Sequence, residues 1–135
     1  IKKARENLNR IHEGLEILKT DKVVQDAFMF MNKAMAQQQF HYKLSTEKDF
    51  EYTDNLNNID YAYELQKIGK GKWYPFQIIF IILNIKSFSN PISEDRDIVD
   101  LIWFPTGGGK TEAYLGLSSF VIFLSLEPLN RTEYR

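Results

Sequence analysis

The 135-residue sequence contains no cysteine. This absence excludes a disulfide framework, a thiolate nucleophile and a zinc site built from cysteines. Histidine is nearly as scarce, because His12 and His41 are the two in the chain and neither stands in a metal-ligand spacing such as His-Glu-x-x-His. We therefore expect surface or packing roles for both histidines. The lack of cysteine also suits a protein of the cytoplasm.

The chain lacks an excess of charge of one sign and a long apolar run. Its formal net charge is -1, so no overall field attracts nucleic acid, and polyanion binding would need a local patch. The most apolar stretches, 76–85 and 114–126, are shorter than the roughly 20 residues that span a bilayer. The sequence starts at Ile1 without a basic and then apolar leader. We expect no signal peptide, no membrane association and a start inside a longer gene product.

The N-terminal part of the sequence predicts a pair of helices, and the overall composition fits a soluble globular protein. Apolar side chains recur at spacings of three and four over residues 1–19, which predicts an amphipathic helix. Its expected buried positions are Leu8, Ile11, Leu15 and Leu18, and its charged face is expected to include Lys2, Lys3, Arg5 and Arg10. Thr20 or Asp21 is expected to cap a second helix through about His41. Its predicted buried positions are Val24, Ala27, Phe28, Met31 and Met35.

The middle of the chain predicts shorter elements. Residues 45–60 are polar and rich in turn formers, which predicts a connector or an ordered loop. Residues 61–68 predict a short helix ended by Gly69 and Gly71. Pro75 suits the first turn of a further helix through residue 85, followed by a loop over residues 87–96. We therefore divide the chain into a helical N-terminal region with its connector, 1–60, and a second region, 61–135.

Three consecutive glycines occur in DLIWFPTGGGKTEAYLGL, residues 100–117. Residues 98–104 are few, apolar and β-branched at the start, which predicts a buried strand. Residues 110–126 predict a helix that Pro128 and Asn130 end. Strand, glycine loop and helix form the context that separates a phosphate loop from a chance match. The predicted fold class is thus α/β, mostly helical in this chain, with N-terminal helices followed by a first strand, loop and helix.

The glycine loop suits a nucleoside triphosphate. Without Cβ atoms, Gly107, Gly108 and Gly109 let backbone N–H groups converge on a phosphate, and the following helix adds its positive end. Lys110 is expected to reach the β- and γ-phosphates, and the Thr111 hydroxyl is expected to bind Mg²⁺. The alternative is a glycine turn between strand and helix with an incidental Lys-Thr pair.

The stretch PTGGGKTE, residues 105–112, resembles motif I of superfamily 2 helicases and translocases. In that family the first glycine of the strict loop is commonly replaced, as Phe104 replaces it here. The resemblance implies a RecA-like domain that binds ATP and Mg²⁺, with Thr106 in the binding motif and with Lys110 and Thr111 serving catalysis.

The stretch WYPFQ, residues 73–77, looks like the Q-motif region of the same motors. The resemblance implies that Gln77 selects adenine and that Trp73 or Phe76 stacks on the base or supports it. The alternative is a helix start with core aromatics and a solvated glutamine. A lysine-rich turn just before it, with Lys67, Lys70 and Lys72, could touch nucleic-acid phosphates or be a solvated turn.

A longer pattern resembles the helicase subunit of DISARM-type bacterial antiphage systems. It consists of MNKAMAQQ at 31–38, WYPFQIIFIILNI at 73–85 and DLIWFPTGGGKTEAYLGL at 100–117. The resemblance implies an ATP-driven motor that acts on DNA with the protein partners of a defence complex. The family also uses an acidic motif II and arginines from a second RecA-like domain, and neither follows Thr111 here. We therefore expect the isolated chain to be inactive as an ATPase.

Two other functions remain open at this stage. One is a helical interaction or scaffold module whose nucleotide loop is silent. The other is a different P-loop enzyme, such as a small-molecule kinase, whose loop would more often keep the early glycine that Phe104 replaces. Asp97 and Asp100 precede the loop, and we assign them to a turn and to the entry of the predicted strand.

Overall fold

A computed structural model describes residues 2–46 and 58–132. The helices in this part are α1, Lys2–Thr20; α2, Lys22–Thr46; α3, Tyr61–Lys67; α4, Pro75–Ser89; and α5, Lys110–Thr132. A 3₁₀ turn covers Glu94–Asp97, and the described residues contain no β-strand. The described structure is therefore mostly helical. Most of the predicted connector, residues 47–57, lies outside the described part.

The predicted helical hairpin is confirmed, and Asp21 is the residue that starts its second helix. The Asp21 Oδ1 atom accepts hydrogen bonds from the backbone N–H groups of Val23, at 2.9 Å, and Val24, at 3.3 Å. These bonds satisfy N–H groups that have no partner within the helix. Thr20 does not cap α2, because its hydroxyl donates to the Glu16 carbonyl at 2.8 Å.

The hydrophobic core lies where α2, α4 and α5 meet. Helix α2 packs against α5, while α4 packs against α1 on one side and α5 on the other. The buried members of the core are Val24, Ala27, Met31, Ile81, Ile82, Ile85 and Phe120. All three α2 positions in that set were predicted from apolar spacing. The N-terminal hairpin and the residues after position 75 thus share one core, while the division into two regions stays a prediction.

The buried face of α1 is only in part the predicted one. Ile11, Leu15 and Leu18 pack against the core as predicted. Leu8 is instead half exposed, whereas Arg10 and Gly14 are buried. The placement of Arg10 on the solvent face was therefore wrong. A Cβ atom at Gly14 would lie 2.3 Å from the carbonyl oxygen of Ile82, so the α1 backbone runs directly against the α4 backbone. A helix face selected by apolar spacing alone misses both the glycine and the charge.

The predicted strand over residues 98–104 is absent from the described structure, so the glycine loop follows an irregular segment and not a strand. A strand is defined by a hydrogen-bonded neighbour, and none of the residues that the structure describes pairs with this segment. The segment faces α1 and α4 across a cleft of about 650 Å³. Several of its side chains project into solvent, including Val99, Leu101 and Trp103.

Helix α5 begins at Lys110 as predicted but continues through Pro128 to Thr132. The expectation that Pro128 and Asn130 end this helix was therefore wrong. A proline lacks one N–H group and so removes one hydrogen bond, but it does not by itself oblige the following turn to unwind. Helices α3 and α4 begin where expected. Helix α4 continues to Ser89, three residues into the predicted loop, and the 3₁₀ turn at Glu94–Asp97 ends one residue beyond that loop.

Candidate phosphate-binding site

The glycine loop reverses direction immediately before α5. Gly107 and Gly109 have φ angles of +80° and +89°, a region that side chains with a Cβ atom rarely adopt. Between them, the Gly108 N–H donates to the Pro105 carbonyl at 3.1 Å and closes a turn. Helix α5 starts at the next residue, Lys110. The unpaired N–H groups of its first turn therefore lie at the end of the loop.

Phe104, the departure from the strict loop pattern, supports the loop from one side. Its ring stacks on Phe76 with centroids 4.2 Å apart and an angle of 16° between the planes. Tyr74 extends the stack, with its centroid 6.3 Å from that of Phe76. A Cβ atom at Gly108 would lie 2.6 Å from Cδ1 of Phe104. The aromatic ring thus occupies the space beside the loop and ties it to the start of α4.

Lys110 folds back over the residues that precede the glycines. Its Nζ atom donates to the carbonyl of Phe104, at 2.5 Å, and to that of Pro105, at 3.1 Å. The ammonium group is thereby held beside the loop. Thr106, within the loop, and Thr111, in the first turn of α5, are both exposed. The predicted phosphate-binding residues therefore lie together, and both threonine side chains face solvent.

Gln77 is the predicted site residue that the structure brings directly to the loop. Only 3% of its surface is exposed, although it is polar and lies in the first turn of α4. Its Oε1 atom accepts from the Tyr74 N–H at 2.8 Å, and its Nε2 atom donates to the Gly109 carbonyl at 2.8 Å. A Cβ atom at Gly109 would lie 2.6 Å from that Nε2. The third glycine therefore provides both the backbone angle and the room for this contact.

Trp73 lies on the core side of the same stretch. Its indole N–H donates to Oδ1 of Asn32 in α2 at 2.8 Å. On its other edge, a Cβ atom at Gly116 would lie 2.7 Å from Cη2 of the ring. Trp73 therefore joins α2 to α5 and packs against the hydrophobic core. Phe76 and Trp73, which the sequence grouped as possible base-stacking residues, contact different parts of the structure.

A polar groove of about 460 Å³ lies between the glycine loop and a second glycine turn. In this second turn Gly69 and Gly71 have φ angles of +68° and +77°, and Oε1 of Gln39 accepts from the Gly71 N–H at 3.1 Å. The polar residues that line the groove include Gln38, Gln39, Lys70, Lys72, Gln77 and Glu112. Lysines, amides and one carboxylate thus surround the open side of the loop.

The sequence missed a buried ion pair that anchors the segment before the loop. Arg10 donates to both carboxylate oxygens of Asp100, at 2.8 and 2.7 Å, and to the Leu83 carbonyl at 3.2 Å. The hydrogen bond with Asp100 raises the pKa of the Arg10 guanidinium above its ordinary value, against the opposing effect of burial. Asp95 lies 3.7 Å from Nε of Arg10, yet neither facing atom makes a hydrogen bond.

The role of strand entry that the sequence suggested for Asp100 is therefore replaced by this ion pair. A signal was available in α1, where the charged Arg10 and Gly14 share one helical face at a spacing of four. Nothing in the sequence pointed to its partner, because 90 positions separate Arg10 from Asp100.

Over residues 2–46 and 58–132, no helix is both long and apolar enough to cross a bilayer. The same ranges contain no group of three or more His, Cys, Asp or Glu side chains that could hold a metal ion. His12 and His41 are both exposed.

Comparison with known proteins relates the chain to a curated bacterial protein. No family model matches the chain. A curated protein of Bacillus paralicheniformis is 39% identical over 124 residues, which cover 90% of this chain. The chain is similar to DISARM protein DrmA. It spans about a tenth of the length of DrmA, 10%, so the similarity concerns one part of a much longer polypeptide. The similarity to DrmA supports the relation to DISARM-type systems that the sequence pattern indicated.

Proposed function

We propose that this chain is the ATP-binding part of a superfamily 2 DNA helicase or translocase that acts in bacterial antiphage defence. The observation that carries the proposal is the glycine loop, in which Gly107 and Gly109 adopt positive φ angles directly before a helix that starts with Lys110 and Thr111. The similarity to DrmA over most of the chain supports the defence context.

In this proposal the phosphates of ATP bind at residues 106–111. The open side of Gly107, where a Cβ atom would meet nothing within 4 Å, leaves room for a ligand against the backbone. The first-turn N–H groups of α5 and the positive end of that helix favour an anion there. Lys110 exchanges its two carbonyl partners for phosphate oxygens, which are stronger acceptors for an ammonium group.

The donor set also fits Mg²⁺. This ion takes few protein ligands and completes its octahedron with water and phosphate oxygens, so one exposed hydroxyl, that of Thr111, suffices beside a triphosphate. When bound, Mg²⁺ neutralises charge on the phosphate oxygens. Hydrolysis itself needs an acidic motif II and arginines from outside this chain, so we expect the isolated chain to bind ATP without turnover.

Residues 98–104 form no strand in the described structure, and we propose that they become the first strand of a RecA-like sheet when strands from elsewhere in a longer polypeptide pair with them. The groove beside the glycine loop receives the rest of the nucleotide. For this part of the site, the family resemblance implies adenine selection by Gln77 and base stacking by Phe76 or Trp73. DNA and the other proteins of a defence complex are the proposed partners, and the cytoplasm is the proposed location.

Lys110→Ala tests the proposal in the full-length protein. We expect DNA to stimulate ATP hydrolysis by the unmutated protein, and we expect the variant to lose roughly 100-fold or more of that turnover, because a charge aimed at the phosphates is removed. Lys22→Ala is the control, since Lys22 lies at the exposed start of α2 in an ion pair with Asp26. Turnover should be measured with and without DNA for all three proteins.

Equal turnover in Lys110→Ala and Lys22→Ala would contradict the proposal. Absence of turnover under every DNA condition would favour the scaffold function. A scaffold further predicts that binding to partner proteins survives Lys110→Ala and does not respond to nucleotide.

A further inference from the structure

The amide group of Gln77 connects the starts of two core helices. One of its hydrogen bonds reaches the backbone of Tyr74, just before α4, and the other reaches Gly109, just before α5. We infer that Gln77 is a positioning residue, which fixes the glycine loop for any phosphate ligand instead of reading the base. The inference rests on the proposed phosphate site and changes the role that the family resemblance implies for this side chain.

Both ends of the Gln77 amide make hydrogen bonds within the protein. Recognition of adenine requires the amide oxygen and an amide N–H to face the base at the same time. In Gln77 the oxygen accepts from Tyr74 and the nitrogen donates to Gly109, each at 2.8 Å, and the side chain is almost wholly buried. Reading a base would require both bonds to break and a buried side chain to rotate outward, and buried polar groups left unpaired are costly.

The hydrogen bond to Gly109 controls the orientation of the peptide unit between Gly109 and Lys110. A peptide unit is planar and trans, so its carbonyl oxygen and the next N–H point in opposite directions. Holding the Gly109 carbonyl toward Gln77 therefore fixes the direction of the Lys110 N–H, which is among the unpaired N–H groups that begin α5. Gln77 thus orients a backbone donor of the proposed phosphate site without touching the phosphate.

The contact between Gln77 and Gly109 also requires space beside the Gly109 backbone. The Nε2 atom of Gln77 lies 2.6 Å from the position that a Cβ atom at residue 109 would occupy. A side chain at position 109 would therefore displace the amide from this contact, and the φ angle of +89° also favours glycine there. In this structure the third glycine of the loop serves the Gln77 contact, while Gly107 has open space beside it.

The first experiment compares three ligands with the full-length protein. Binding of ATP, GTP and inorganic tripolyphosphate, each with Mg²⁺, is measured for the unmutated protein, Gln77→Glu and Gln77→Ala. Glutamate keeps the size of the side chain and the acceptor for Tyr74 but places an oxygen against the Gly109 carbonyl. We expect both variants to weaken all three ligands by a common factor of roughly three to ten. A fall of ATP affinity to that of GTP, with tripolyphosphate unchanged, would overturn the inference.

Asn84→Ala is the matched control, because Asn84 carries an amide on α4 that bonds within its own helix, to the Phe80 carbonyl. We expect it to leave the affinity for all three ligands within twofold of the unmutated protein. A loss of affinity equal to that in Gln77→Glu would show that any amide on α4 matters, which would overturn the specific role of Gln77.

A second measurement needs no ligand. Exchange of the Gly108 backbone amide, which donates to the Pro105 carbonyl within the loop, should accelerate by roughly tenfold in Gln77→Glu and stay unchanged in Asn84→Ala, because a loosened loop opens more often. Unchanged exchange in Gln77→Glu would sink the inference whatever the ligand results are. Failure of the unmutated protein to bind any of the three ligands would refute the proposed phosphate site, and the exchange result would still settle whether Gln77 positions the loop.

Discussion

The helical core and the segment that carries the glycine loop are held in place in different ways. In the core, side chains of α2, α4 and α5 interlock over a continuous apolar surface. The segment 98–109 has no such surface, and Val99, Leu101 and Trp103 are 93%, 84% and 89% exposed. A few separate contacts hold it instead: the Arg10–Asp100 ion pair, the Phe76–Phe104 stack and the Gln77–Gly109 hydrogen bond.

This difference teaches where substitutions should matter. Burial in the core is shared among many side chains, so each contributes according to the apolar area it removes from water. In the segment, most side chains contribute little and the anchors contribute nearly everything. Each anchor joins one residue of the segment to a partner in α1 or at the start of α4, so the position of the segment depends on both.

The largest expected effect is on the core side of the comparison. Phe120→Ala should lower the free energy of unfolding by about 3–5 kcal/mol, because Phe120 is fully buried and its removal leaves a cavity. Urea denaturation followed by tryptophan fluorescence provides the measurement. Ile122→Ala, on the same helix but 58% exposed, is the control and should cost about 0.5 kcal/mol or less. Similar losses in the two variants would mean that the core is not where the structure has it.

The second effect breaks an anchor of the segment. Arg10→Met should cost about 3 kcal/mol, because it leaves Asp100 largely buried without its partner. Adding Asp100→Leu should restore a large part of that loss, since two apolar side chains can replace a buried ion pair. Arg5→Met, an exposed arginine of the same helix, is the control. Denaturation of Arg10→Met, Asp100→Leu, the double variant and Arg5→Met measures the coupling, and losses that simply add would contradict a direct pair.

The smallest effect concerns a peripheral lysine beside the same cluster. Lys86 donates to Glu13 at 2.8 Å, and this bond raises the pKa of Lys86 above its ordinary 10.5. A raised pKa means that the stabilisation is fully present below the ordinary value and is lost as pH rises through the higher one. Glu13→Gln should therefore cost about 0.5 kcal/mol at pH 9, and this cost should shrink as pH rises above 10.5. A cost that does not fall with rising pH would show that the pair does not act through charge.

The sequence predicted the parts of the fold that depend on local rules. The apolar spacing of α2 identified Val24, Ala27 and Met31 as buried. The hydrogen-bonding capacity of Thr20 or Asp21 identified a helix start, and Asp21 is the one of the two that caps it. Both signals lie within one or two helical turns, where side-chain geometry follows directly from position. The described helices α3 and α4 follow the same logic, with turn-forming glycines between them.

The wrong predictions concern residues whose structure depends on a partner that is far away in the sequence or absent from the described structure. Arg10 looked like a solvent-facing charge because its partner is 90 positions away. Residues 98–104 looked like a strand because they have strand composition, but strand formation requires a neighbouring backbone. The sequence identified both Gln77 and Gly109 as site residues, 32 positions apart, and assigned each to a ligand. It gave no indication that the two residues bond to each other.

The close approach at Gly14 has a mechanical consequence. Gly14 follows Arg10 by four residues, so both lie on the α1 face that meets α4. Any side chain at position 14 would press on the Ile82 carbonyl and move the two helix axes apart. Arg10 would be carried away from Asp100 by the same displacement. A single added methyl group at position 14 would thus act as a wedge between α1 and α4, and through the Arg10–Asp100 pair its effect would reach the residues that lead into the glycine loop.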